Sequence, residues 1–160
     1  MDSQELAALA SLVRGQRTAA LGSLRGGGPQ VTLVAYALRP DFQALYLFLS
    51  RLARHTRAIE EDPRVGLMIS APDPGVGDPQ TLPRLSLQGS IARVEPSDED
   101  AAGARALYLE RFPDAARLLQ LDDFAFYRVT PTAGRFVAGF AQAYNIGQLD
   151  LSEAATTTEA

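Results

Sequence analysis

The chain has 160 residues, 46% of them hydrophobic and 21% charged, with a formal charge of −4; a domain of that make-up buries a core without staples and is a poor general binder of nucleic acid. Cysteine and lysine are both absent and His55 is the only histidine. This excludes disulfides, thiolate nucleophiles, iron–sulfur clusters, Schiff-base catalysis, lysine-bearing phosphate loops and imidazole-rich zinc centres within one chain.

An enzyme with this inventory needs a bound organic cofactor to carry its reaction. No run approaches the length of a membrane span, and residues 1–13 lack the cationic start and long apolar stretch of a signal peptide. The expectation is a cytoplasmic protein with no membrane partner and no nucleic-acid partner.

Ser3 is read as the N-cap of a first helix, with Leu6, Leu9, Ala10 and Val13 on one face and Gly15 as its stop. Such a helix packs as a lid on a sheet. Residues 17–24 and 31–39 read as strands of a hairpin joined by Arg25-Gly26-Gly27-Gly28-Pro29. A phosphate loop is the competing reading of that turn, but no helix and no lysine follow it. Residues 44–49 are apolar on both faces, as in a strand covered on both sides.

That strand runs into FLSRLARHTRAIEEDPRV, residues 48–65. Ser50 is read as the N-cap of a helix whose inner face carries Leu52, Ala53, Thr56 and Ile59 and which Pro63 ends. Arg51, Arg54, His55 and Arg57 then crowd its first two turns, where cations oppose the helix dipole unless an anion is present. A bound phosphate resolves the conflict. The rival reading is a solvated face that pairs with Glu60, Glu61 and Asp62.

Residues 65–69 form a further strand, and 71–83, with four prolines and two glycines, can only be a loop. A long strand follows over 84–95, with Gly89 marking a bulge or the close approach of a ligand or another backbone. Ser97-Asp98-Glu99-Asp100 starts a helix that runs through Leu107 and Leu109 towards Phe112, and Pro113 opens a short second one with Leu118, Leu119 and Leu121. Two strands close the chain, 124–130 and 135–140, separated by the turn Pro131-Thr132-Ala133-Gly134. The expected fold class is mainly β, an antiparallel six- to seven-stranded barrel with peripheral helices, as one domain over 1–151. The tail 152–160 carries no large apolar side chain and is expected to be disordered.

The segments GGGPQVTLVAYAL, LFLSRLARHTRAIEEDPRVGLMI, LSLQGSIARVE and DFAFYRVTPTAGRFVAGFAQAYNI together resemble the pyridoxamine 5′-phosphate oxidase-like FMN-binding split barrels. Within that family the chain is most similar to the heme-utilisation (HugZ-like) branch. The oxidases hold the FMN phosphate with an arginine–lysine pair, the lysine eight residues before a proline. Counted back from Pro63, His55 falls at the lysine and Arg54 at the arginine. The resemblance also places Ser50 where a polar residue helps hold the cofactor, Thr32 at an oxidase arginine and Arg84 at a glutamine that contacts the flavin.

It implies a homodimer with FMN in the cleft between subunits, acting as a flavin-dependent oxidoreductase on a small-molecule substrate, with no catalytic side chain assigned. The alternative it implies is a heme-binding or heme-degrading protein, or a cofactor-binding module without turnover. Heme-degrading members ligate iron through a histidine in a C-terminal extension, and the tail here has none. A third possibility is a scaffold without cofactor, in which Phe136, Val137, Phe140 and Tyr144 anchor the subunit interface.

Overall fold

In the computed structural model, which describes residues 1–157, eight strands build one antiparallel sheet that curls into a half-barrel. They are β1 (Thr18–Arg25), β2 (Gly28–Ala35), β3 (Ala37–Leu38), β4 (Leu45–Ser50), β5 (Arg64–Ser70), β6 (Arg84–Arg93), β7 (Phe124–Gly139) and β8 (Gln142–Ile146). The order across the sheet is β2-β1-β5-β6-β7-β4-β3, with β8 paired to β7. Four α-helices lie at the periphery: α1 (Ser3–Gly15), α2 (Arg54–Glu61), α3 (Ala101–Arg111) and α4 (Gln148–Thr156). No helix among the described residues is long and apolar enough to cross a membrane.

The fold is the split barrel expected from the sequence, and its core follows from strand alternation. Leu21, Leu47, Ile69, Leu85, Val129 and Phe136 point inwards and are shielded from water, and α1 closes one side with Leu9 and Val13. Phe136 is thus a core residue and no interface anchor, whereas Phe140, at the tip between β7 and β8, is almost fully exposed. A second apolar cluster lies on the far side of β4, where Phe48 meets Tyr108 of α3 and Ala115. Both faces of β4 are therefore covered, as its sequence requires.

The β1–β2 hairpin closes through Gly26 and Gly27, both left-handed at φ 55° and 78°. A turn with two positive φ values twists with the strands and strongly favours glycine. At Gly89 both sequence readings hold, since the β6–β7 register slips there and an added Cβ would lie 2.3 Å from the Thr130 carbonyl oxygen.

Several local expectations are corrected. Asp2, not Ser3, caps α1: its carboxylate accepts from the backbone N–H groups of Gln4 and Glu5 at 2.9 Å, and Glu5 accepts from the Asp2 N–H in return. This is a capping box one residue earlier. The N-cap of α2 is Ala53 and makes no side-chain cap bond. Ser50 does not cap the helix because the β4–β7 ladder extends through it, opposite Phe124.

The turn expected at 131–134 is absent, and β7 runs through it as one strand of 16 residues. Thr132 is the extra residue of the bulge, since Gly89 faces Pro131 while Gln88 already faces Ala133. A proline at a bulge leaves no ladder donor missing. The strand β8 and the helix α4 were not foreseen. Residues 152–156 of the expected disordered tail belong to α4, held by Arg14 of α1, whose guanidinium donates to the carbonyls of Ala155 and Thr157 at 2.7 and 2.9 Å. Residues 158–160 lie outside the described residues.

Candidate functional site

Inward side chains of β1, β5 and β6 leave the alternate residues on the opposite face of the sheet. Directly paired residues share a face, so Val31, Gly22, Gly66 and Gln88 form one outward row and Leu33, Ala20, Met68 and Ser86 the next. Val31 is 76% exposed, Leu33 73% and Met68 44%. Large aliphatics left this open on a sheet mark a surface meant to be covered.

Gly22 and Gly66 sit opposite each other at the centre of this face. An added Cβ would meet nothing nearer than 3.5 Å at Gly22 and 3.6 Å at Gly66, ordinary contact distances. The packing of the chain itself therefore does not demand glycine at either position. Together they give a floor without side chains, where a planar group or another backbone can lie flat. A shallow cavity of about 460 Å³ opens over it, bordered by Leu24, Val31, Arg64 and Gln88.

The cationic helix is arranged differently from either sequence reading. Glu60 accepts from the Tyr127 hydroxyl at 3.0 Å, and burial, helped by that bond, pushes the phenol up to about 12. Glu61 faces Arg25 at 3.8 Å and Asp62 pairs with Arg64 at 2.5 Å. The three carboxylates expected to neutralise the helix are thus engaged elsewhere. Arg54 and Arg57 are exposed and have no carboxylate partner among the described residues. Arg51 precedes the helix and donates to the carbonyl of Asp122 at 2.7 Å.

His55 lies beside Arg54 in the first turn of α2. Its Nε2 is buried without a hydrogen-bond partner among the described residues, and burial lowers the imidazole pKa below its ordinary value. A buried polar atom left unpaired is costly and uncommon. Ser50, just upstream, donates its hydroxyl to the Asp123 carboxylate at 2.7 Å and accepts from the Leu52 N–H at 3.2 Å. That hydroxyl is already occupied, and the carboxylate beside it opposes an anion.

Thr32 pairs with Leu21 and so faces inwards at the sheet edge. Arg84 stands on the outward face with Ser86 and Gln88, and its guanidinium donates to the carbonyls of Gln80 and Leu82 at 2.7 and 3.2 Å. It borders a cleft beneath the β7–β8 tip. One chain therefore places Ser50 at the end of β4 and Arg54 and His55 in the first turn of α2, and keeps Thr32 and Arg84 on opposite faces of the sheet. Among the described residues no group of three or more His, Asp or Glu side chains is placed to hold a metal ion.

The outward floor escaped the sequence reading. The signal available was alternation in QVTLVA, with Val31 and Leu33 on one side, and glycine inside two apolar strands.

Comparison with known proteins adds the following. The family model described as pyridoxamine 5′-phosphate oxidase matches residues 6–138. The heme oxygenase HutZ of Vibrio cholerae is 30% identical over 126 residues, which span 78% of this chain and 70% of that protein. The non-canonical chloroplastic heme oxygenase HOZ of Arabidopsis thaliana is 33% identical over 151 residues, 88% of this chain but only 44% of the longer plant protein. Among solved structures, a heme-binding protein from Mycobacterium smegmatis superposes with a TM-score of 0.82 at 25% identity, over 93% of this chain and 60% of that one.

Proposed function

The chain belongs to the pyridoxamine 5′-phosphate oxidase family, and from that premise we propose that it is a heme-binding protein that seats the macrocycle on the outward face of β1, β5 and β6. The observation that carries this reading is the Gly22–Gly66 pair, a floor without side chains that the chain's own packing does not require. Two relatives named for heme chemistry support it. This departs from the flavin oxidoreductase expected first and favours the alternative.

Bound heme supplies redox and oxygen chemistry that no side chain here can provide. The residues supply the seat. Val31, Leu33 and Met68 offer apolar contact to the ring, at roughly 25 cal/mol per Å² removed from water. Arg64 borders the cavity, and its exposed pair with Asp62 is weak enough to be exchanged for a heme carboxylate. We also propose a homodimer, because a second copy laid on this face covers the aliphatics and shuts water away from the cofactor.

His55 is the only imidazole in the chain and does not line the cavity over Gly22 and Gly66; its unpaired Nε2 has the chemistry for either a bond to iron or a hydrogen bond to a phosphate oxygen. The second option belongs to a second reading, FMN in place of heme, which the uncommitted Arg54 beside His55 favours. Arg54 and His55 would then grip the phosphate without Ser50, whose hydroxyl is taken by Asp123, and Thr32 and Arg84, on opposite faces of the sheet, could not both reach the same FMN within one chain. Titration of the purified chain with heme and with FMN, in parent and Gly66→Val forms, tests both. Saturable heme binding weakened about thirtyfold in the variant at unchanged oligomeric size is the expected result. Heme binding indifferent to a branched side chain at that position would overturn the assignment of the seat.

A further inference from the structure

A second cavity lies on the other side of the half-barrel, over β4 and β7, and nothing assigned so far uses it. Its origin is legible in α3. The first turn of the helix meets the sheet only through the small side chains of Ala101 and Ala104, which pack beside Tyr46 and Val94, with Ala102 and Gly103 exposed, whereas Leu107 and Tyr108 in its later turns pack larger side chains against the sheet. A cavity of about 420 Å³ remains under the first turn.

Phe48, Phe124 and Phe126 form its floor, with ring centroids 5.2 Å apart for Phe48–Phe124 and 4.6 Å for Phe48–Phe126, and Leu119 forms a side wall. Phe124, Phe126 and Leu119 are only half-buried. The chain thus leaves an aromatic floor in contact with water, in a space within the size range of small-molecule sites.

Charge at this cavity has one sign. Arg93 and Arg105 are part of the lining and, among the described residues, no carboxylate is. The nearest acid on α3, the N-cap Asp100, is turned away: it accepts from the Tyr46 hydroxyl and from Arg128, both at 2.9 Å. Arg93 approaches Glu95 at 3.4 Å, an exposed pair, and Arg105 has no ion pair among the described residues. An apolar body with a single negative head matches this arrangement. A polyanion finds too few cations, and a neutral or cationic amphiphile leaves the guanidinium charge unanswered.

We propose that this cavity is a binding site for an amphipathic monocarboxylate, a medium-chain fatty or aryl carboxylate, with its body on the Phe48–Phe124–Phe126 floor and its head paired to Arg105 and Arg93. The site shares no residue with the outward face of β1, β5 and β6 or with α2, so it stands whether the cofactor is heme or FMN.

Calorimetric titration of the full chain with decanoate, decanol and decyltrimethylammonium tests it. Decanoate binds saturably and more tightly than either analogue. Arg105→Gln, at an exposed position, weakens decanoate about tenfold and leaves decanol unchanged, as expected for loss of one charge-assisted contact. Ala102→Trp, also exposed, fills the mouth and abolishes decanoate binding while the thermal midpoint of the chain is retained. The assignment falls if decanoate gives no saturable heat, if the cationic analogue binds as well as decanoate, or if Ala102→Trp leaves binding intact.

Discussion

Two neighbouring rows of the same sheet follow different rules. The inner row runs Leu21, Leu67, Leu87 across β1, β5 and β6, each residue at most 4% exposed. One residue along, the outer row runs Val31, Gly22, Gly66, Gln88 and is open to water. Burial explains every residue of the first and none of the second. The inner row is what makes the fold; the outer row carries an aliphatic, Val31, where water is and glycines where a Cβ would fit. A face whose composition the fold does not require is where a ligand and a partner are to be sought.

The contrast breaks most visibly under truncation of the inner row. Leu67→Ala should cost about 2–5 kcal/mol of unfolding free energy, read from the urea midpoint. Gly66→Val, its neighbour on the outer row, should leave unfolding within about 1 kcal/mol, since valine suits a strand. The same substitution should weaken heme by about thirtyfold, roughly 2 kcal/mol, as a branched side chain lifts the ring from its floor. A large stability loss with intact cofactor affinity would reverse the roles of the two rows.

Leu33→Asp sharpens the contrast from the partner's side. At 73% exposure in one chain it should change monomer stability by no more than about 0.5 kcal/mol, yet light scattering should report a shift from dimer to monomer. An unchanged dimer would mean that the subunits meet elsewhere, and the exposed Phe140 tip would be the next surface to substitute.

The smallest expected effect concerns His55. Burial lowers its pKa in the folded chain, so the unfolded chain takes up its proton first as the pH falls. Its stabilising contribution is complete above about pH 6.5, the ordinary imidazole value, and is lost as the pH falls through the lower folded-state value. His55→Gln should flatten the urea midpoint over that mildly acidic range. Equal slopes for parent and variant would show that other groups set it.

What could be read in the sequence divides along the same line as the two rows. Local chemistry was legible: Gly26 and Gly27 dictate a tight hairpin, the apolar run 44–49 dictates a strand covered on both sides, and Gly89 dictates a bulge against another backbone. The crowding of Arg51, Arg54, His55 and Arg57 around the start of α2 was legible as well; their reading as a phosphate grip comes from the family resemblance and belongs to the proposal. Features set by distant partners were hidden. Ser50 has the chemistry of an N-cap, but how far β4 pairs with β7 decides that it remains in the strand and that Asp123 takes its hydroxyl. Residues 152–156 lack the pattern of a stable helix, and α4 depends on Arg14 reaching across from α1 to its last carbonyls. Gly22 and Gly66 become one floor only through the β1–β5 register, which neither segment announces by itself.

The most direct measurement is the visible absorption spectrum of the freshly purified chain, recorded again as heme is added. A Soret band that grows to saturation in the parent chain, and in Gly66→Val develops only at about thirtyfold higher heme, is the expected result. Flavin bands in the purified protein with no Soret band on adding heme, or a chain that stays colourless throughout, would contradict a heme seat on the outward face.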